Sequence, residues 1–321
     1  MRQKVYEQSG FLTARAAYLH HVREMSQGEV AQALGVSAAT VSRLLKSARE
    51  NGVITISLNA AHERHLAMSE ELAVRYGLAD VIIAAAEGLD NEEDIKKAVA
   101  HEGARYIQRT IKPDDVLGIA WGGTIYHLIN YLNPSQKRDT EFVTLHGSIY
   151  SLDYELDVQT LVTRIAKVFS GTRYGMKLNG LCSSKAAADA IRNEMKVQAI
   201  FEMFDKITIS LSGVGSFYPE ITTPLGTITY LTDPEVANLK SKNVYGDLVL
   251  RFFDQNGDEC DTDLVDRTLA ISFNQYKRIP NKVVTASGRH KTETVRALLK
   301  GRLADTLVID SGLAEALLAG E

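Results

Sequence analysis

From residue 78 onward the chain alternates short apolar runs with longer amphipathic ones, and this alternation limits its fold more than any other feature. The strand-like segments are "ADVIIAAA", "VLGIAW", "EFVTLHG", "KITISLS", "TLAISF", "KVVTAS" and "TLVID"; among them lie "EEDIKKAVAHEGARYIQRTI", "TIYHLINYL", "DVQTLVTRIAKVFS", "KTETVRALLKG" and "SGLAEALLAG". Short strands that are apolar along their length are buried on both faces, and an intervening helix returns the chain to begin the next strand parallel to the last. The expected class is α/β: a large three-layer α/β/α domain over 78–321 behind a smaller head. One stretch departs from the pattern. In "RFFDQNGDEC", Asn256-Gly257 signals a tight turn between two short antiparallel strands.

In open sheets of this kind ligands bind beyond the carboxyl ends of the strands. Four loops at such ends share one chemistry: Trp121-Gly122-Gly123-Thr124, His146-Gly147-Ser148, Ser212-Gly213-Val214-Gly215-Ser216 and Ser287-Gly288-Arg289-His290-Lys291-Thr292. Glycine lets a ligand approach the backbone N–H groups at a helix start, which form an anion site. Arg289 and Lys291 sit poorly against the positive end of a helix dipole unless an anion is present. Asp247, in "VYGDLV", is the candidate acceptor for ligand hydroxyls. The expected ligand contacts are Trp121, Gly122, Gly123, Thr124, Gly147, Ser148, Asp247, Arg289, His290 and Lys291.

The head carries a second pattern, in "MSQGEVAQALGVSAATVSRLLKSARENGVITISL". Ser26 with Glu29 three residues on has the form of a capping box, opening a helix expected to bury Val30, Ala33 and Leu34. Gly35 ends it. Ser37 then caps a second helix, with Val41, Leu44 and Leu45 on one face and Thr40, Arg43 and Lys46 on another. "FLTARAAYLHHV" supplies a third helix, and the alternation in "VITISL" predicts a wing strand. Such a helical pair places its second helix in the DNA major groove, first residues nearest the base edges. Ser37, Ala38, Ala39, Thr40, Ser42 and Arg43 are the candidate readers, and Lys46 and Arg49 the candidate phosphate contacts.

Charge agrees with that division. Residues 1–60 hold seven basic and four acidic residues, so the head is +3 and the remainder −7 of a formal −4. A basic head on an acidic body suits a polyanion-binding module joined to something else. Between them "HERHLAMSEELAVRYG" predicts a helix with Leu66, Leu72, Ala73 and Tyr76 on one stripe and Gly77 at its end. The expected domains are therefore a helix-turn-helix over 1–59, a linker helix over 60–77, and a ligand-binding and oligomerisation domain over 78–321.

Several chemistries lack their residues. Cys182 and Cys260 are the two cysteines and cannot build a disulfide framework, and the longest apolar run, "VIIAAA", is far shorter than the ~20 residues a membrane helix needs. A cytoplasmic protein without a membrane role is expected. Gly-x-Ser-x-Gly, Cys-x-x-Cys and His-Glu-x-x-His are absent. In "DQNGDECDTD" Gly257 comes too early for a calcium loop, so neither metal nor cofactor is expected.

The order of "LGIAWGGTI", "GVGS", "VYGDLVLRFFDQNGDE" and "VVTASGRHKTETVRALLKGRLADTLVIDSGLAEALL" behind a helix-turn-helix resembles the SorC family of bacterial sugar-responsive transcriptional regulators, nearly end to end. The resemblance implies a large domain similar in fold to sugar-phosphate isomerases and CoA transferases. It also implies double-stranded operator DNA and a phosphorylated sugar or polyol effector as partners, and a homo-oligomer, usually a tetramer. By position, Gly122, Gly123 and Thr124 fall in the family's phosphate-cradling loop, Asp247 in its Gly-Asp motif and Lys291 at its phosphate-facing lysine. The family's common Gly-Gly after the late strand is here Ser287-Gly288-Arg289-His290. The expected function is an effector-controlled regulator rather than an enzyme. The alternative, a sugar-phosphate isomerase-like enzyme with a DNA-binding head, needs an acid/base pair, and no second group stands at fixed spacing from Asp247.

Overall fold

The computed structural model describes residues 10–134, 139–149, 155–226 and 230–320. Its elements, in chain order, are α1 Gly10–Ala17, α2 Gln27–Leu34, α3 Ala38–Glu50, α4 Ala60–Tyr76, β1 Asp80–Ala84, α5 Glu92–Thr110, β2 Val116–Ile119, α6 Gly123–Tyr131, β3 Glu141–Thr144, α7 Val158–Phe169, β4 Thr172–Tyr174, α8 Lys185–Arg192 and α9 Met195–Phe204. They continue with β5 Ile209–Gly213, β6 Gly215–Ser216, α10 Asp233–Ser241, β7 Gly246–Leu248, β8 Arg251–Phe253, α11 Asp263–Arg267, α12 Phe273–Lys277, β9 Asn281–Ala286, α13 Thr292–Lys300, β10 Thr306–Asp310 and α14 Ser311–Leu318. The chain divides into two compact units, up to Glu63 and from Arg64, so the division falls just inside the linker helix α4.

In the first unit Ser26 and Glu29 exchange both bonds of a capping box, and Gly35 ends α2 in the left-handed conformation. Ser37 caps α3 by accepting from the Thr40 N–H at 3.1 Å. Val41, Leu44, Leu45 and Ala48 face inward with Ala16, Ala17, Val30 and Ala31, forming one small core. The face of α2 differs from expectation by a residue: Ala31 is buried and Ala33 exposed, because Val30, Ala31 and Leu34 subtend the arc that meets α3. The wing also differs. Residues 53–58 form no strand, for no second strand of the described head pairs with them, and the Val53 and Ile54 N–H groups both bond to the Ala48 carbonyl as a helix ending does.

In the second unit seven strands lie in the order β1-β10-β9-β5-β2-β3-β4, every neighbouring pair parallel. Alternate residues serve opposite faces: Leu307 and Ile309 join one core with Val284 and Leu298, while Val308 joins the other with Val283, Ile107 and Leu128. A period of two on a sheet covered on both faces gives the three layers. A smaller antiparallel sheet, β6-β7-β8, carries the 246–259 segment, and Gly257 turns at φ 74°. Its last arm is reduced to one bridge, Phe253 to Glu259, and "TLAISF" likewise makes isolated bridges at Thr268 and Ala270 instead of a strand. On α4 the inward residues are Met68 and Leu72, while Leu66 is 56% exposed, leaving the predicted stripe. Among the described residues no helix is long and apolar enough to cross a membrane.

Candidate functional site

Strands β9, β5 and β2 are neighbours at the sheet centre, and their carboxyl ends open into a cleft of about 480 Å³. The first wall is the loop that begins α6. Gly122 stands at φ 141°, ψ 151°, where a β-carbon is not tolerated, and hands the chain to Gly123 at the first turn of the helix. Trp121, Gly122, Gly123 and Thr124 all line the cleft. From β9, Ser287 and Gly288 enter it, the Gly288 N–H held at 2.6 Å by the Asp310 carboxylate, which also caps α14. His290 and Lys291 follow on the same wall.

Asp247 comes from the small sheet, where it pairs with Gly215 in antiparallel register. It is 4% exposed, and its Oδ1 has no hydrogen-bond partner, as is true of the adjacent Thr223 Oγ1. Burial pushes its carboxyl up to about 6, against the opposing pull of the Thr223 hydroxyl, which lies close without forming a hydrogen bond, and of the Lys291 ammonium. Enclosure pushes Lys291 down to about 8, opposed by Asp247, and its Nζ donates to the Val214 carbonyl at 2.8 Å. Partial enclosure and then Lys291 keep the His290 ring below its usual value. The fold thus brings into one cleft an acid and a base that are far apart in sequence and that influence each other's charge. An unsatisfied buried carboxylate oxygen in a cleft is a place for a ligand hydroxyl or amine.

Three expected contacts lie elsewhere. Gly147 packs where a β-carbon would meet the Leu178 carbonyl at 2.6 Å, and Ser148 is buried, its hydroxyl donating to Asp157 at 3.3 Å. Both belong to backbone packing between the β3 end and 178–180, because β3 lies beyond β2 from the cleft. Arg289 points outward to an ion pair with Glu315, which also accepts from Arg64 of α4 at 2.7 Å. A guanidinium one residue from His290 follows the opposite side of the tight turn that aims Lys291 inward.

His146 serves the cleft without entering it. Its ring is fully buried, Nδ1 donating to the Gly147 carbonyl at 2.7 Å and Nε2 accepting the Trp121 N–H at 3.0 Å. Only the neutral, Nδ1-protonated ring makes both bonds, and burial holds it down at about 4. The folded state therefore resists a proton that the unfolded chain accepts below its ordinary 6.5. This contribution is complete above pH 6.5 and is lost as the pH falls to 4, about 3 kcal/mol in all. In urea titrations the stability advantage over His146→Gln is expected to shrink by that amount between pH 7 and pH 4. A constant advantage would show a protonated ring in the native state.

Sequence reasoning missed Glu92, Ile95 and Lys96 of α5, and Glu220, Thr222 and Thr223, all lining the cleft. The spacing of 92, 95 and 96 marks one helix face, but nothing local says what that face meets. In the first unit Ser37, Ala38, Ala39, Ser42, Arg43, Lys46 and Arg49 are exposed and Thr40 half-buried, so the outward side of α3 is small at its start and basic further on.

Residues 60–319 match the model of the Sugar-bind family, a sugar-binding domain, and residues 23–55 a winged helix-turn-helix DNA-binding model. The sorbitol operon regulator of Klebsiella pneumoniae is 28% identical over 309 residues, which cover 96% of this chain and 97% of that one. The deoxyribonucleoside regulator of Bacillus subtilis is 28% identical over 306 residues, 95% and 96% of the two chains. The erythritol catabolism regulatory protein EryD of Brucella abortus is 26% identical over 310 residues, 96% of each. The crystal structure of full-length SorC from Klebsiella pneumoniae superposes with a TM-score of 0.76 at 28% identity, covering 96% of this chain and 98% of that chain. The two matched models follow one another along the chain, the first taking in the capping box of α2 and the second reaching past the end of the last helix, and the chain belongs to the SorC family of transcriptional regulators.

Proposed function

We propose that this chain regulates a sugar or polyol catabolic operon from the cytoplasm, binding operator DNA through α3 as a homotetramer and taking a phosphorylated sugar or polyol as its effector in the cleft. The observation that carries the reading is the cleft itself: a buried carboxylate with a free oxygen for hydroxyls, opposite helix-start loops and Lys291 for an anion, in one chain with a helix-turn-helix. The polyols in the names of two relatives, sorbitol and erythritol, agree with it. An effector changes operator affinity only by preferring one arrangement of the assembly, typically with a coupling of about 1–3 kcal/mol. Glu315 offers a route, since it joins Arg289, two residues from Lys291, to Arg64 in the linker helix.

Operator binding measured by fluorescence anisotropy over a salt series tests the head. Arg43→Ala is expected to lose about 1–3 kcal/mol of discrimination between operator and random DNA. Lys46→Ala is expected to weaken binding to every sequence and to lower the salt slope by about 1. Wild-type affinity in both variants would remove α3 from the DNA. The displaced titrations of Asp247 and Lys291 also favour a second reading, proton transfer on a sugar phosphate. Incubation with a panel of sugar phosphates, followed for product as well as for thermal stabilisation, separates sensor from enzyme.

A further inference from the structure

Lys96 lies on α5, one turn after Glu92, and reaches over the beginning of α6. Its Nζ stands 3.8 Å from where a side chain on Gly123 would begin, and its Cδ 3.7 Å. Gly123 is the first residue of the nine-residue α6, so an ammonium is set against the positive end of a helix dipole, where a cation is disfavoured. Lys291 lines the same cleft, its Nζ donating to the Val214 carbonyl at 2.8 Å. The two groups are near enough for Lys96 to lower the proton affinity of Lys291.

Glu92, Glu220 and Asp247 line the cleft together with these cations, and Glu93 stands outside it. Glu93 pairs with Lys96 at 2.6 Å and with His127 at 2.6 Å, so Lys96 is positioned from outside the cleft. Glu92 acts on Lys291 and His290 from an exposed first turn. Asp247, lining the same cleft, keeps its Oδ1 unpartnered despite the nearby ammonium. Two like charges in one cleft, one of them at a helix start, repel when it is empty and cooperate around a doubly charged anion. Uncharged hydroxyls would relieve neither.

We propose that Lys96 is a specificity residue of the cleft: with Lys291 it clamps a dianionic phosphate over the start of α6 and makes the site prefer a phosphate monoester to a carboxylate or an uncharged polyol. The proposal rests on the sugar-phosphate reading above and adds the residue that selects the charge. Full-length protein is titrated at constant ionic strength with inorganic phosphate, glycerol 3-phosphate and glycerol, followed by the thermal midpoint. Lys96→Met is expected to lose about 10-fold or more in phosphate affinity, what one charge-assisted hydrogen bond supplies, with the ligand-free midpoint read alongside as the check on folding. Lys96→Arg keeps most of the affinity. Lys97→Met, whose lysine pairs with Asp94 and does not line the cleft, behaves as wild type. Equal phosphate affinity in wild type and Lys96→Met overturns the proposal and leaves the phosphate reading standing. Failure of the wild type to bind either phosphate probe at millimolar concentration overturns that reading and the proposal with it.

Discussion

Gly215→Ala is expected to abolish the effector response while leaving operator binding intact. A β-carbon there would stand 2.0 Å from Asp247 Oδ1 and 2.5 Å from Thr223 Oγ1. Neither can retreat easily: Gly215 and Asp247 face each other in the β6-β7 ladder, and Thr223 is 2% exposed. One of the two must nevertheless be displaced to admit the β-carbon, and a displaced Asp247 carboxylate loses the bonds it would make to ligand hydroxyls. At about 1.5–3 kcal/mol for a hydrogen bond to a charged group, effector affinity should fall about 100-fold. The measurement is calorimetric titration with whichever sugar phosphate stabilises the wild type, checked against the ligand-free thermal midpoint. Unchanged affinity would mean that Asp247 does not touch the effector.

Leu44→Ala is expected to do the reverse, removing operator binding and sparing the cleft. Leu44 is fully buried in the small core that α1, α2 and α3 share. Truncating such a leucine costs about 2–5 kcal/mol, and a head of this size has little stability in reserve. Calorimetry should show an early transition moving down or vanishing, with the main transition and its shift by sugar phosphate preserved. The two compact units make this separation possible. A single transition falling as a whole would instead show that the units unfold together.

Much of the molecule was legible along the chain because the signals are local. Apolar runs of strand length with helices between them require a parallel sheet. Ser26, Glu29, Gly35 and Ser37 specify the helix boundaries of the head through bonds spanning three or four residues. Paired glycines at Gly122-Gly123 mark a helix start that a ligand can approach, and that loop does line the cleft.

What the chain alone could not decide is direction and neighbourhood. Gly147-Ser148 and Arg289 have the same composition of glycine, hydroxyl and cation as the true lining, yet strand order carries the first pair past the cleft and a tight turn aims the guanidinium outward. The apolar alternation of "VITISL" could not form a strand without a partner. Conversely, Lys96 and Thr223 carry no motif and enter the cleft because α5 packs against α6 and the Thr222 and Thr223 N–H groups bond to the Ser216 carbonyl of β6. The sequence by itself determined the class of fold, the two-part plan and one wall of the cleft, since these follow from contacts within a few residues. The tertiary structure decided that Asp247 and Lys291 share a site, because electrostatic interaction depends on distance in space and these two groups are separated by most of two structural motifs along the chain.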